Sequence, residues 1–209
     1  MHELSFGTWL IHISSVIEWI YAIFIINKIS SYKKLELYYW LSLAMIPNLI
    51  GAMCAITWHI FDNQPELYGL VTLQGIFTFL GNSTLAIATI AIFKRTESYD
   101  WFFLRFLNLL SRFDNTALFA ASIIPYSIFL YFLFKIKSLN NLIKIGFSLT
   151  VLFVFITIVI SIFSLNYYHR TLVEIDVLHG SAEFFLTLSD FIILLGFIKM
   201  LNRLEVNNS

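Results

Sequence analysis

Nine polar side chains fall inside or at the edges of apolar runs of this sequence, and their types can hold protons or ligate metals: His12, Glu18, His59, Asp62, Gln74, Asn82, His179, Glu183 and Asp190. An ionisable group in hydrocarbon costs about 2.5–3.5 kcal/mol on insertion scales, so each such residue raises a functional hypothesis. The densest run is LHGSAEFFLTLSDFIILLGF, where His179, Glu183 and Asp190 stand at i, i+4 and i+11. On a helix that spacing puts all three along one stripe, which cannot face lipid and must face protein or a water-filled cavity. In WLIHISSVIEWIYAIF, Ser14 and Glu18 share a face and Ser15 lies three before Glu18. His12 is about 120° around the same helix from Glu18, so these two are not an automatic local pair.

Two readings of the stripe stay open. Its members can be interhelical hydrogen-bonding groups, partnered by Glu18, Gln74 or Asn82, or they can transfer protons in a dry pocket. Gln74, Thr78 and Asn82 recur every four residues, and Thr89 continues their side, with Gly75 and Gly81 nearby. That pattern reads as a helix-packing seam. His59 and Asp62 sit at a span end, where an interfacial cap or turn is the simpler expectation, and His169 falls in a loop.

Metal and catalytic templates fail at the level of local motifs. The chain has no Glu-x-x-His pair, HExxH, histidine box, phosphate loop, nucleophile elbow or cysteine pair, so no metal is assigned. His179 and Glu183, with His12, Glu18 and His59 from elsewhere, could still assemble a histidine–carboxylate cluster. Histidines in apolar helices can also bracket haem or chlorophyll, and a carotenoid is a further candidate cofactor.

The elements that must position these groups follow from composition. The chain has 209 residues, 59% hydrophobic and 12% charged, with a mean hydropathy of +0.81. Soluble domains carry about 25% charged residues, so this chain lacks the surface to cover a globule in water. Thirteen basic residues balance thirteen acidic ones, which gives no electrostatic case for nucleic acid. The lone Cys54 has no partner for an internal disulfide. The first lysine is Lys28, so the N-terminus has no basic region and a retained first helix is expected rather than a cleaved signal.

A bilayer core of about 30 Å needs roughly 20 helical residues. Runs of that length occupy 7–27, 38–60, 68–93, 116–135, 143–165 and 176–198. They are continuous rather than alternating, which excludes barrel strands. Pro47 and Pro125 lie inside two of them and predict kinks whose freed backbone groups neighbours must satisfy. Trp9, Tyr38, Tyr39, Trp40 and Trp58 cluster near span ends, as an aromatic belt would.

Residues 98–115 differ, because Arg105, Asn108 and Arg112 recur at helical spacing among aromatic and leucine residues. They predict an amphipathic interfacial helix joining two three-helix domains, 1–97 and 116–209. The expected fold is therefore all-α, a polytopic bundle of about six membrane spans plus this connector. With six alternating spans, eight basic residues fall on one side and five on the other; a seventh crossing at 98–115 would make it ten against two at the cost of Arg105 in the bilayer, and the 28–37 loop is cytoplasm-like.

Specific strings carry a resemblance. HISSVIEW (12–19), AMCAITWHIFDN (52–63) and VTLQGIFTFLGNSTL (71–85) resemble the hypothetical chloroplast reading frame forty-nine family, a three-helix membrane domain of cyanobacteria and plastids. SIIPYSIFLYFL (122–133) and LHGSAEFFLTLSDFIILLGF (178–197) are similar to a second small membrane family with the same distribution. The resemblance implies a thylakoid or cyanobacterial inner membrane and, as partners, the lipid bilayer and photosynthetic membrane complexes. It supplies no catalytic residue. Three functions then compete: a biogenesis or assembly factor for photosynthetic complexes or their pigments, a membrane-embedded enzyme acting on an isoprenoid, quinone or pigment precursor, and a proton-coupled transporter.

Overall fold

Each apolar run is long enough to cross a bilayer core and contains few helix breakers, so each closes its own backbone hydrogen bonds as a helix. A computed structural model describes residues 4–94 and 115–208. Among the described residues there is no strand, and six segments are long and apolar enough to cross a membrane: Phe6–Ser30, Tyr38–Ile60, Pro65–Lys94, Leu118–Lys135, Asn141–Tyr168 and Asp176–Asn207. The helices are α1 (Phe6–Ser30), α2 (Tyr38–Ala44) and α3 (Ile46–Ile60) in the second span, α4 (Gly69–Lys94), α5 (Asn115–Ala121) and α6 (Ile123–Lys135) in the fourth, α7 (Asn141–Phe163) and α8 (Asp176–Asn208). The amphipathic connector expected at 98–115 lies, but for Asn115, outside the described residues, as does the domain boundary resting on it.

Two spans break where proline removes an amide donor. Pro47 follows the α2–α3 break, and the carbonyls of Ala44 and Met45 there accept from the Thr84 hydroxyl at 2.9 Å and the Trp19 indole at 3.0 Å. Pro125 follows the α5–α6 break, where the Ser122 carbonyl accepts from the Asn82 amide at 3.3 Å. One helix, α4, thus supplies a polar side chain to both kinks. Gly81, just before those side chains, backs directly onto Asn48, and a Cβ there would overlap it.

The contacts fix helix direction. Trp19 meets Met45 and His12 meets His59, so α1 and the second span are antiparallel. Thr84 meets Ala44, so α4 reverses again. Asn82 meets Ser122 and Phe93 meets Phe132, so the fourth span runs parallel to α4. Lys144 reaches the Phe134 carbonyl and Thr150 meets Ser189, so α7 is antiparallel to both α6 and α8. Ser5 meets Asp176 and Lys28 meets Glu205, so α1 and α8 run side by side in the same direction.

This departs from the strict alternation behind the eight-to-five charge count. One end of the bundle now carries Lys28, Lys33, Lys34, Lys94, Lys135, Lys137, Lys144, Lys199 and Arg203, while among the described basic residues only Arg170 stands at the other. By the positive-inside rule the lysine-rich end faces the cytoplasm-like side.

The buried core lies toward that end and includes Ile26, Tyr38, Leu41, Leu85, Phe129, Leu133, Phe147 and Phe197. Tyr38 corrects the aromatic-belt expectation: it is 1% exposed and its hydroxyl pairs with Ser138 at 2.8 Å, a core anchor rather than a lipid-facing ring. The outward face of α7, with Val151, Leu152, Phe155, Ile158, Val159 and Ile162, is exposed and wholly apolar, as a lipid contact requires.

Candidate functional site: a histidine cluster above a carboxyl seam

The seam between α1 and α8 collects most of the polar groups singled out in the sequence. Ser5 caps α1, its hydroxyl accepting from the Thr8 amide at 3.3 Å, while the Ser5 amide donates to the Asp176 carboxylate at 3.0 Å. This ties the first turns of the two helices together and sets their parallel register. Gly180 then lets α8 approach closely, since a Cβ at that position would stand 2.6 Å from the Thr8 hydroxyl.

One turn further in, three imidazoles from three helices converge. His12 on α1, His59 at the end of α3 and His179 on α8 have ring centroids 5.0, 5.2 and 5.3 Å apart. The Nε2 atoms of His12 and His179 face each other at 3.2 Å, and one ring nitrogen from each histidine lies within 4.8 Å of the other two. His59 and His179 are both 5% exposed, and His12 is half-buried.

The local sequence explains how His59 is aimed. Asp62 and Asn63 both adopt positive φ, 50° and 57°, a conformation that Asp and Asn tolerate best among non-glycine residues. They reverse the chain after α3, which brings the Asn63 side-chain oxygen to 2.7 Å from His59 Nδ1. Read as an acceptor, that oxygen places the proton of His59 on Nδ1 and leaves Nε2 with a lone pair. Asp62 itself is exposed and belongs to the turn, its amide donating to the His59 carbonyl at 3.1 Å.

Deeper along the same seam, three residues beyond His12 on α1 and eleven beyond His179 on α8, the Ser15 hydroxyl donates to the buried Asp190 carboxyl. Glu18 and Glu183 are both close enough to act on Asp190 electrostatically. One Glu18 oxygen is buried with no hydrogen-bond partner among the described residues. The Thr187 hydroxyl donates to the Ile11 carbonyl at 3.2 Å, and behind Asp190 the Ser189 hydroxyl donates to the Gly146 carbonyl at 2.7 Å. Tyr126 extends this polar layer to α6 by donating to the Phe147 carbonyl at 2.7 Å.

The stripe of His179, Glu183 and Asp190 therefore faces α1, but its members belong to two levels: imidazoles near the sparsely charged end and carboxyls in the interior. His12 and Glu18 divide in the same way. Gln74 and Asn82 join neither level. The Gln74 carbonyl accepts from Thr78 on its own helix at 2.8 Å, and Asn82 serves the α5–α6 kink. The histidine convergence was beyond a motif search because its ligands sit 47 and 120 residues apart. The Ser15–Asp190 bond was hidden for the same reason, although Ser15 shares the Glu18 side of its helix.

Chemically, the upper level offers imidazole nitrogens to a metal and the lower level offers carboxyls that can hold protons. A haem ligated on both faces does not fit between His12 and His179 as they stand. Two axial nitrogens would have to lie about 4 Å apart, twice a bond of about 2.0 Å, against the 3.2 Å observed. A shallow groove of about 350 Å³, lined by Ser5, Thr8, Ile11, Asp176, Gly180 and Phe184, opens beside the histidines.

Comparison with known proteins matches each half separately. Residues 3–91 match the family model described as "Protein of unknown function (DUF2499)", and residues 115–202 match "Protein of unknown function (DUF3593)". The chain is 45% identical over 98 residues to a Ycf49-like protein of Synechocystis, covering 92% of that protein and 46% of this chain. It is 35% identical over 95 residues to the uncharacterized protein ycf49 of Cyanophora paradoxa, with the same coverage of 92% and 46%. No solved structure matches. The two family models meet on either side of residues 92–114, so α1 comes from one module and α8 from the other. The chain belongs to the Ycf49 family through its N-terminal half, and it is a membrane protein of cyanobacterial and plastid type in which that module is fused to a second, DUF3593 module.

Proposed function

We propose that this protein is a biogenesis or assembly factor of the thylakoid-type membrane, acting on photosynthetic complexes or their pigments. The observation that supports this reading best is the closure of the α1–α8 seam. Ser15 with Asp190 and Thr187 with Ile11 link one module to the other through polar contacts. The grooves at the histidine end do not extend to Glu183 or Asp190. A seam closed in this way holds helices and presents their ends to partners; a chamber for an isoprenoid tail would need an open lining. The lineage of the relatives points to photosynthetic membranes as the place of action. Affinity purification from gently solubilised thylakoids should recover photosystem or cytochrome subunits. Recovery of the protein alone, with photosystem levels unchanged in a deletion strain, would refute the assignment.

A second reading rests on the unpartnered Glu18 oxygen beside Glu183 and Asp190. An acid left without a partner in the interior can serve as a proton donor or acceptor for a lipophilic substrate. Under this reading Glu18→Gln would abolish one specific quinone or pigment product. Under the assembly reading it would leave pigment chemistry intact and lower complex yield.

A further inference from the structure

We propose that His12, His59 and His179 form a binding site for a late first-row transition metal ion of zinc or copper type, at the membrane face opposite the lysine-rich end. The case is geometric and independent of the assembly reading. Tetrahedral coordination at about 2.05 Å sets ligand nitrogens about 3.3–3.4 Å apart. The His12 and His179 Nε2 atoms are 3.2 Å apart, so that edge of the site is already formed. His59 completes a triangle whose ligand atoms all lie within 4.8 Å of one another.

Two neutral imidazoles can share one N–H···N bond across the 3.2 Å gap between His12 and His179. A bound ion takes up both of those lone pairs instead, and each ring then carries its proton on Nδ1. The bond from His59 Nδ1 to Asn63 is the outer-sphere support that ligating histidines ordinarily have, since it orients the ring and leaves the lone pair on Nε2.

Charge and access fit as well. Asp176 lies near enough to His12 and His179 to act on both electrostatically, and it places one negative charge beside a site of three neutral ligands. The groove that Asp176 shares with Thr8 and Gly180 is also lined by Ile11, so it opens at the chain neighbours of His12 and His179. Three imidazoles leave one coordination position open, as in sites that pass a metal on or bind an exogenous ligand.

The test uses the full chain, purified in detergent with an affinity tag that contains no histidine, stripped with chelator and titrated with Co²⁺. The wild type should take up about one equivalent with the intense visible band of a tetrahedral nitrogen site, displaced by Zn²⁺. His12→Ala and His59→Ala should each weaken Co²⁺ binding by about 100-fold or more. His169→Asn, which alters the exposed histidine outside the cluster, should bind as the wild type does. Binding that survives both alanine variants, or no saturable band at all, would overturn the proposal. If the alanine variants fail to fold, pulsed EPR of Cu²⁺ on the wild type decides: coupling to at least two imidazoles supports the site, and its absence rejects it.

Discussion

The Ser15 hydroxyl donates to the Asp190 carboxyl across a gap of 175 residues in sequence, joining the first helix of one family module to the last helix of the other. Asp190 is 5% exposed, so it cannot exchange this partner for bulk water. Ser15→Ala is therefore expected to destabilise the protein by about 1–3 kcal/mol, the cost of leaving a buried polar group unmet. Ser15→Thr, which keeps the hydroxyl, should cost less. Unfolding in mixed micelles, followed by circular dichroism, measures the difference.

The contact between Gly180 and Thr8 makes a paired prediction. A methyl group at position 180 would press on the Thr8 hydroxyl at 2.6 Å, whereas the Thr8 Cβ is at an ordinary 3.5 Å. Gly180→Ala should lower stability by about 1–3 kcal/mol through overpacking. Adding Thr8→Ala removes the obstructing oxygen and should restore most of the loss. A double-mutant cycle on thermal unfolding reads the coupling; additive losses would show that the helices are not held this closely.

Because the curated relatives match the N-terminal half alone, the two modules should associate without a covalent link. Residues 1–97 and 98–209 produced as separate chains in one membrane should co-purify. Asp190→Leu should reduce recovery of the partner half, because it replaces the acceptor of Ser15 with a group that cannot accept. Tagged pull-down with quantitative blotting tests this. Independent migration of the two halves would mean that the fused chain, not the seam, holds the modules together.

The positions of the membrane spans were legible in the sequence because hydropathy is a local property. The run read at 38–60 is the second span, Tyr38–Ile60, and the run read at 176–198 starts with the last span at Asp176. The kinks at Pro47 and Pro125 were legible for the same reason, since a missing amide is a property of one residue. Partner choice was not legible. His12 meets His179 and Ser15 meets Asp190 only because α1 and α8 run in the same direction, and no periodicity within either helix encodes that choice. His59 shows the limit most clearly. Its i, i+4 bond to Asn63 belongs to the turn expected at that span end, yet the same ring also packs against two other histidines.

The shared direction of α1 and α8 has a consequence for how this protein meets its surroundings. Ser5 and Asn207 emerge into different aqueous compartments, an outcome that three back-and-forth hairpins could never give. With Cys54→Ser as a thiol-free background, a membrane-impermeant maleimide added outside sealed right-side-out vesicles should label a cysteine at one of these two positions and spare the other. Inverted vesicles should exchange the result. Labelling of both from one side would mean that the helices do not run as described. One polypeptide thus presents an end to each aqueous face of the membrane, Ser5 to one and Asn207 to the other.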